Sequence, residues 1–188
     1  MTKHHPSCGC SDCFPEHEHK HNETKVVFSC GSGGGANIPV SRAVALGAAL
    51  GSAYQQPSLI VGTVTLNTRG LKSPSVKIDY SSVVSFKTTQ FLFEIAIRFQ
   101  LSRACNNGQK IPLATWTYER EVESQVPIEL IGPLNVEFKD PIAFTWCDCI
   151  DCPGCCTYFV EIVDVDTENI DFALVSNVGI NALAFSDK

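Results

Sequence analysis

Apolar and polar residues alternate over long parts of this chain. In segment 91–102 every second residue is large and apolar, and segment 75–80 repeats the pattern. The apolar positions on the inward faces are Phe91, Phe93, Ile95, Ile97, Phe99 and Leu101 in the first segment, and Val76, Ile78 and Tyr80 in the second. Because successive side chains of a strand point to opposite faces, this period of two predicts half-buried β-strands.

Further segments combine β-branched and aromatic residues with turn signals at their ends. These predicted strands are 24–30, 59–68, 114–122, 126–131, 136–138, 141–149, 156–166 and 172–185, the last being two strands or one bent strand. Residues 43–54 are rich in alanine but contain two glycines, and we expect a loop or a short helix there. About eight to ten strands without a convincing long helix predict an all-β fold. We expect an antiparallel jelly-roll-like β-sandwich, and an immunoglobulin-like sandwich stays open.

Residues 1–23 differ from the rest of the chain in composition. They are polar, contain all five histidines and have almost no large apolar side chain. Such a segment cannot bury enough apolar surface to order itself, so we expect a flexible N-terminal arm on a body of residues 24–188. The glycine-rich residues 31–36 then predict a hinge. They also match a dinucleotide fingerprint, but Pro39 interrupts it and no acidic residue occurs between Glu23 and Asp79.

The composition limits the classes of function. With 188 residues, 44% of them hydrophobic, the chain can bury a core without covalent help, so its ten cysteines need another explanation. Lysines and arginines are scattered over a chain of net charge −6, which argues against nucleic acid as a partner. Neither a signal peptide nor an apolar span of bilayer length is visible, so we expect no membrane partner. We therefore expect either a cytosolic metal or redox protein or one released when its cell lyses.

The cysteines form two clusters. The arm contributes Cys8, Cys10 and Cys13, the late cluster contributes Cys147, Cys149, Cys152, Cys155 and Cys156, and Cys30 and Cys105 lie between them. Structural zinc usually takes two separate C-x-x-C pairs, whereas the late pairs overlap at Cys152. A zinc site would therefore need the arm, which has the same spacing at Cys10 and Cys13. We expect no metal ligands, but a zinc-binding module with the arm histidines stays an alternative.

Disulfide bonds account for more of the pattern. On a strand, Cys155 and Cys156 point to opposite faces and seek different partners, while Cys147 and Cys149 share a face. Cys8, Cys10 and Cys13 are therefore predicted to pair with Cys30, Cys105 or the late cluster, between copies joined head to tail, while pairing within one chain stays open. Since every histidine lies in the arm, no rigid element positions one beside a nucleophile. We expect no enzyme, no catalytic residue and no cofactor.

The arm with Cys8, Cys10 and Cys13, the absence of a signal peptide and the jelly-roll pattern resemble the subunits of endospore appendages (Ena-type pili) of Firmicutes. The segments I-P-V, W-T-Y and W-C-D-C-x-x-C-x-x-C-C-T-Y are also similar to an uncharacterised Cys-rich family of clostridial proteins. The resemblance implies a self-assembling structural subunit of a disulfide-cross-linked filament, extracellular or on the spore surface. This chain departs from the appendage subunits in its histidine-rich arm and in the single-residue spacing of its arm cysteines. A closed trimeric spore-surface protein is a further alternative.

Overall fold

The structure, a computed structural model, describes residues 25–40, 58–122, 135–150 and 154–186. All regular structure in these ranges is β. The strands are β1 Lys25–Cys30, β2 Ser32–Gly33, β3 Ala36–Ile38, β4 Leu59–Asn67, β5 Ser75–Thr88, β6 Phe93–Cys105, β7 Ile111–Val122, β8 Val136–Cys149, β9 Cys155–Glu168 and β10 Phe172–Ser186. The predicted arm, the segment 43–54 and the predicted strand 126–131 lie outside the described residues.

The strands form two antiparallel sheets. Sheet A has the order β1-β10-β5-β8, with the short β3 also paired to β10, and sheet B has the order β2-β4-β9-β6-β7. Most consecutive strands lie in different sheets, so the chain crosses repeatedly from one layer to the other, as in a double-sheet jelly roll. The predicted all-β antiparallel sandwich is confirmed.

The core lies between the inner faces of the two sheets. Val76, Ile78 and Tyr80 of β5 are buried, as are all five alternating apolar residues of β6 from Phe93 to Leu101. They meet Tyr158, Val160 and other apolar residues of β9 and β10 in one continuous cluster. Each fully buried side chain of this size contributes about 1.5–3 kcal/mol, so the alternation fixes which face of each strand turns inward.

Two strands are more continuous than the sequence predicts. Segments 136–138 and 141–149 are one strand, β8, which runs through Pro141 opposite Val83 of β5. A proline is tolerated here because β8 is an edge strand of sheet A, so only one of its sides forms hydrogen bonds with a neighbouring strand. Segment 172–185 is also one strand, β10, bent by an irregularity between Ser176 and Gly179 where Asn177 has a left-handed φ of 52°.

The glycines of residues 31–36 do not form a hinge in the structure, which corrects the sequence interpretation. This stretch crosses from sheet A to sheet B and back, and it contains β2 and the start of β3. A Cβ on Gly31 would lie 2.2 Å from the carbonyl oxygen of Thr63, and one on Gly33 would lie 2.4 Å from the Val178 side chain. Gly31 also donates its N–H to the Ile180 carbonyl at 2.8 Å. These two glycines allow close backbone packing rather than bending.

One end of the sandwich, which we call the thiol end, collects several strand termini. β1 begins opposite the last residue of β10, since Lys25 pairs with Ser186, and β8 ends where Cys149 pairs with Ser75. In sheet B, β4 ends and β9 begins where Asn67 pairs with Cys155. The fold therefore brings most of the late cysteine cluster to the end where the chain enters the body.

Candidate functional site

Cys155 and Cys156 are neighbours in sequence with opposite surroundings. Cys156 is fully buried on the inner face of sheet B and forms a disulfide with Cys105, its direct partner on β6, with the two Cα atoms 4.0 Å apart. Cys155 has a free, exposed thiol on the outer face. The prediction that the two point to opposite faces agrees with this geometry, and the Cys105–Cys156 bond lies within one chain.

A buried polar network lies beside the disulfide and joins the two sheets. Arg103 of β6 donates to Asp148 Oδ2 of β8 at 2.6 Å, and Tyr158 of β9 donates to the same oxygen at 2.9 Å. The arginine and aspartate side chains are only 19% and 10% exposed. Burial, followed by the negative charge of Asp148, raises the pKa of Tyr158 far above its usual value. A disulfide within sheet B and an ion pair between the two sheets therefore hold the inner side of the thiol end together.

The backbone around Cys155 is held on both sides. Asn106, in the turn after Cys105, donates its N–H to the Cys155 carbonyl at 2.8 Å and accepts the Cys155 N–H on Oδ1 at 3.1 Å. The buried Thr68 exchanges backbone and hydroxyl hydrogen bonds with Gly154, all at 2.8–3.0 Å. Gly154 is required there, because a Cβ would lie 2.4 Å from the Asn106 amide.

Cys155 opens into a cleft of about 440 Å³ on the outer face of sheet B, which we call the Cys155 cleft. Its lining residues are Arg69, Ala104, Asn106, Asn107, Cys155, Thr157 and Phe159. Both asparagines have positive φ angles, 52° and 59°, a conformation that asparagine tolerates better than most residues. The cleft thus combines a thiol, a guanidinium, two amides and one aromatic ring.

The outer face of sheet A carries the other described cysteines. The register and the alternation place Cys30 of β1 on this face together with Cys147 and Cys149 of β8. Cys30 has a free, exposed thiol, and Cys149 is exposed while Cys147 is half-buried. The predicted shared face of Cys147 and Cys149 agrees with this register. Beside Cys30, the side chains of Val26 and Phe28 are 59% and 60% exposed.

The remaining candidates lie outside the described residues. These are Cys8, Cys10, Cys13, Cys152 and all five histidines. Within residues 25–40, 58–122, 135–150 and 154–186, no group of three or more His, Cys, Asp or Glu side chains is arranged to hold a metal ion. In the same ranges no helix is long and apolar enough to cross a membrane.

Sequence reasoning did not single out Arg69, Arg103, Asn106 or Asp148. For Asp148 a signal existed, because an inward position follows once Cys147 and Cys149 point outward. The positions of Arg69 and Asn106 depend on how two turns meet across β9, and that arrangement has no local sequence signal.

The fold and the cysteine geometry together define a disulfide-containing jelly-roll protein with further thiols on both outer faces. Residues 24–185 match the family described as "Domain of unknown function (DUF4489)". This match covers most of the chain, which therefore belongs to that family. No curated protein matches the chain.

Proposed function

We propose that the protein is a structural subunit that assembles with copies of itself into a disulfide-cross-linked filament, outside the cell or on the spore surface. The carrying observation is the pair of exposed free thiols on opposite broad faces, Cys30 on sheet A and Cys155 on sheet B. Contacts between two different faces are head-to-tail, and repeating them extends an open chain of subunits when the rotation between neighbours does not close a ring. A structural role of this kind requires no catalytic residue or cofactor.

The internal disulfide is consistent with a division of roles, in which one pair of cysteines stabilises the chain and the exposed thiols join different copies. Cys105 and Cys156 are bonded to each other within one chain, with Cys156 fully buried and Cys105 half-buried, so they do not compete for partners in other copies. Cys30 and Cys155 are accessible without any opening of the sandwich. Disulfides persist in oxidising surroundings, which fits a location outside the cell.

The apolar surface beside Cys30 offers a docking area for a second copy. Val26 and Phe28 point outward on β1, which is the edge strand of sheet A on the side opposite to β8. Exposed apolar side chains on an open strand edge are a known hazard for aggregation unless a partner covers them. Covering this edge with a neighbouring subunit would remove the hazard and bring a second chain close to the Cys30 thiol.

A gel experiment tests the proposal. The purified protein is oxidised in air, boiled in detergent with free thiols blocked, and separated with and without reductant. We expect a ladder of multimers that collapses to monomer on reduction. The double variant Cys30→Ser/Cys155→Ser should lose most of the ladder, because the two exposed thiols on which the proposal rests are gone.

The matched control is Cys105→Ala/Cys156→Ala, which removes the same number of sulphur atoms from the interior and should keep the ladder. A wild-type protein that runs only as a monomer without reductant contradicts the proposal. Bound zinc together with reactive thiols would instead indicate a metal-binding module, and closed rings of three subunits in negative-stain micrographs would indicate a trimer.

A further inference from the structure

The backbone around Cys155 is held more firmly than exposure of a cysteine alone requires. Asn106 holds the Cys155 backbone on one side, and Thr68 holds Gly154 on the other. The internal disulfide anchors the same two strands one residue further on, at Cys105 and Cys156. The backbone that carries the thiol is therefore held in place. Pre-organisation of this kind lowers the entropic cost of binding a partner.

Arg69 gives the cleft a positive charge that the described part of the body does not neutralise. The other three arginines in the described ranges form salt bridges, with Asp164, Asp148 and Asp140 for Arg98, Arg103 and Arg120. No described carboxylate forms one with Arg69, although the whole chain has a net charge of −6. An exposed guanidinium at the mouth of a cleft attracts a carboxylate partner and accelerates its approach.

We propose that the Cys155 cleft receives residues 10–16 of a second copy, C-S-D-C-F-P-E, and that Cys13 of that copy forms a disulfide with Cys155. This rests on the proposed function and names one of its cross-links. Of the three arm cysteines, Cys13 has the best chemical match, because Asp12 precedes it and Glu16 follows three residues later. Either carboxylate pairs with Arg69, and Phe14 provides a ring for Phe159. Cys8 lacks a nearby carboxylate.

The bond forms by thiol–disulfide exchange with a low-molecular-weight disulfide, for which oxidised glutathione serves as the probe. The Cys155 thiolate attacks one glutathione sulphur and releases one glutathione thiolate, leaving a mixed disulfide on Cys155. The Cys13 thiolate then attacks the Cys155 sulphur and releases the second glutathione thiolate. Two cysteine thiols lose their protons and are oxidised, and one glutathione disulfide is reduced to two thiols.

The experiment follows the reaction in the full-length protein. Fully reduced protein is mixed with oxidised glutathione, samples are quenched by alkylation, and peptides are mapped by mass spectrometry without reduction. We expect a Cys13–Cys155 peptide pair in wild type and in Cys30→Ser, and its loss in Cys155→Ser. Arg69→Glu should slow formation of this pair by about 3- to 10-fold, as expected for loss of charge steering. Arg98→Glu, on the same sheet, is the control and should leave the rate within a factor of about 2.

A charge exchange separates steering from damage to the cleft. Combining Arg69→Glu with Asp12→Arg should restore much of the lost rate, because the two charges attract again. Multimers whose only arm linkage is to Cys30 would overturn the cleft while leaving the proposed function intact. A wild-type protein without any multimers would instead remove the proposed function itself. An unchanged rate in Arg69→Glu would overturn the role assigned to Arg69.

Discussion

The two sides of β9 at the thiol end each carry a cysteine, but the surroundings of the two cysteines are opposite. On the inner side, Cys156 bonds Cys105 next to the Arg103–Asp148 ion pair, and these side chains are largely buried. On the outer side, Cys155 opens into a cleft whose arginine has no salt bridge within the described part of the body. In the proposed assembly, the inner side stabilises one chain and the outer side contacts another.

This difference separates stability from assembly. Changes on the inner side should lower the free energy of unfolding and leave cross-linking intact, and changes on the outer side should do the reverse. Stability is measured on protein whose accessible thiols have been alkylated, so that assembly does not enter the result.

The largest effect is expected for Asp148→Ala. Arg103 would remain buried without its partner, and Tyr158 would lose its acceptor. Breaking a buried pair in this way costs about 3–5 kcal/mol. Urea unfolding, followed by tryptophan fluorescence, measures the loss. The control is Asp164→Ala, whose pair with Arg98 is more than half exposed and should cost about 0–1 kcal/mol. Equal losses in both variants would contradict the largely buried inner side.

Next comes the double variant Cys105→Ala/Cys156→Ala. The disulfide joins residues separated by 51 positions, and the loss of a cross-link of this size costs about 2–4 kcal/mol. The same urea experiment detects it, and reduction of the wild-type protein should reproduce most of the loss. If the variant also stopped forming multimers, the separation between the two sides would fail.

A smaller effect is expected from pH. The pKa of Tyr158 is raised by burial and by Asp148, so the folded state keeps a proton that the unfolded state begins to lose near pH 10. Its contribution is fully present below that pH and is lost as the pH rises towards the folded pKa. Tyr158→Phe should therefore reduce the slope of stability between pH 9.5 and 11 by up to about 1.4 kcal/mol per pH unit. An unchanged slope would show that Tyr158 does not titrate differently in the two states.

Cys155→Ser should have the smallest effect on stability, within about 0.5 kcal/mol, because the side chain is exposed and the backbone hydrogen bonds to Asn106 remain. Its thermal midpoint is compared with that of Cys30→Ser, the matched change on sheet A. A loss above about 1 kcal/mol in Cys155→Ser would mean that the outer thiol also stabilises the fold.

Much of the fold was predictable because the alternation in segments such as 91–102 determines which side chains are buried. The opposite faces of Cys155 and Cys156 followed from the same geometry. The pairing of Cys105 with Cys156 did not, because it depends on the register between β6 and β9. The role of Gly31 and Gly33 was also missed, since close approach of two sheets leaves no local pattern. Arg69 directly follows the predicted strand 59–68, but its position in a cleft depends on the neighbouring turn at Asn106.

The central claim is that the outer thiols join different copies, and isotope mixing tests it most directly. Lys25 begins the body at the thiol end, and the 11 residues between it and Cys13 let the two positions lie about 40 Å apart when the chain is extended. Reach alone therefore allows either the chain's own arm or a neighbour's. Equal amounts of unlabelled and ¹⁵N-labelled reduced protein are mixed, oxidised and mapped. Bonds between copies predict mixed labels in about half of the disulfide peptides that contain Cys30 or Cys155. If these peptides were only fully light or fully heavy, the claim would be contradicted.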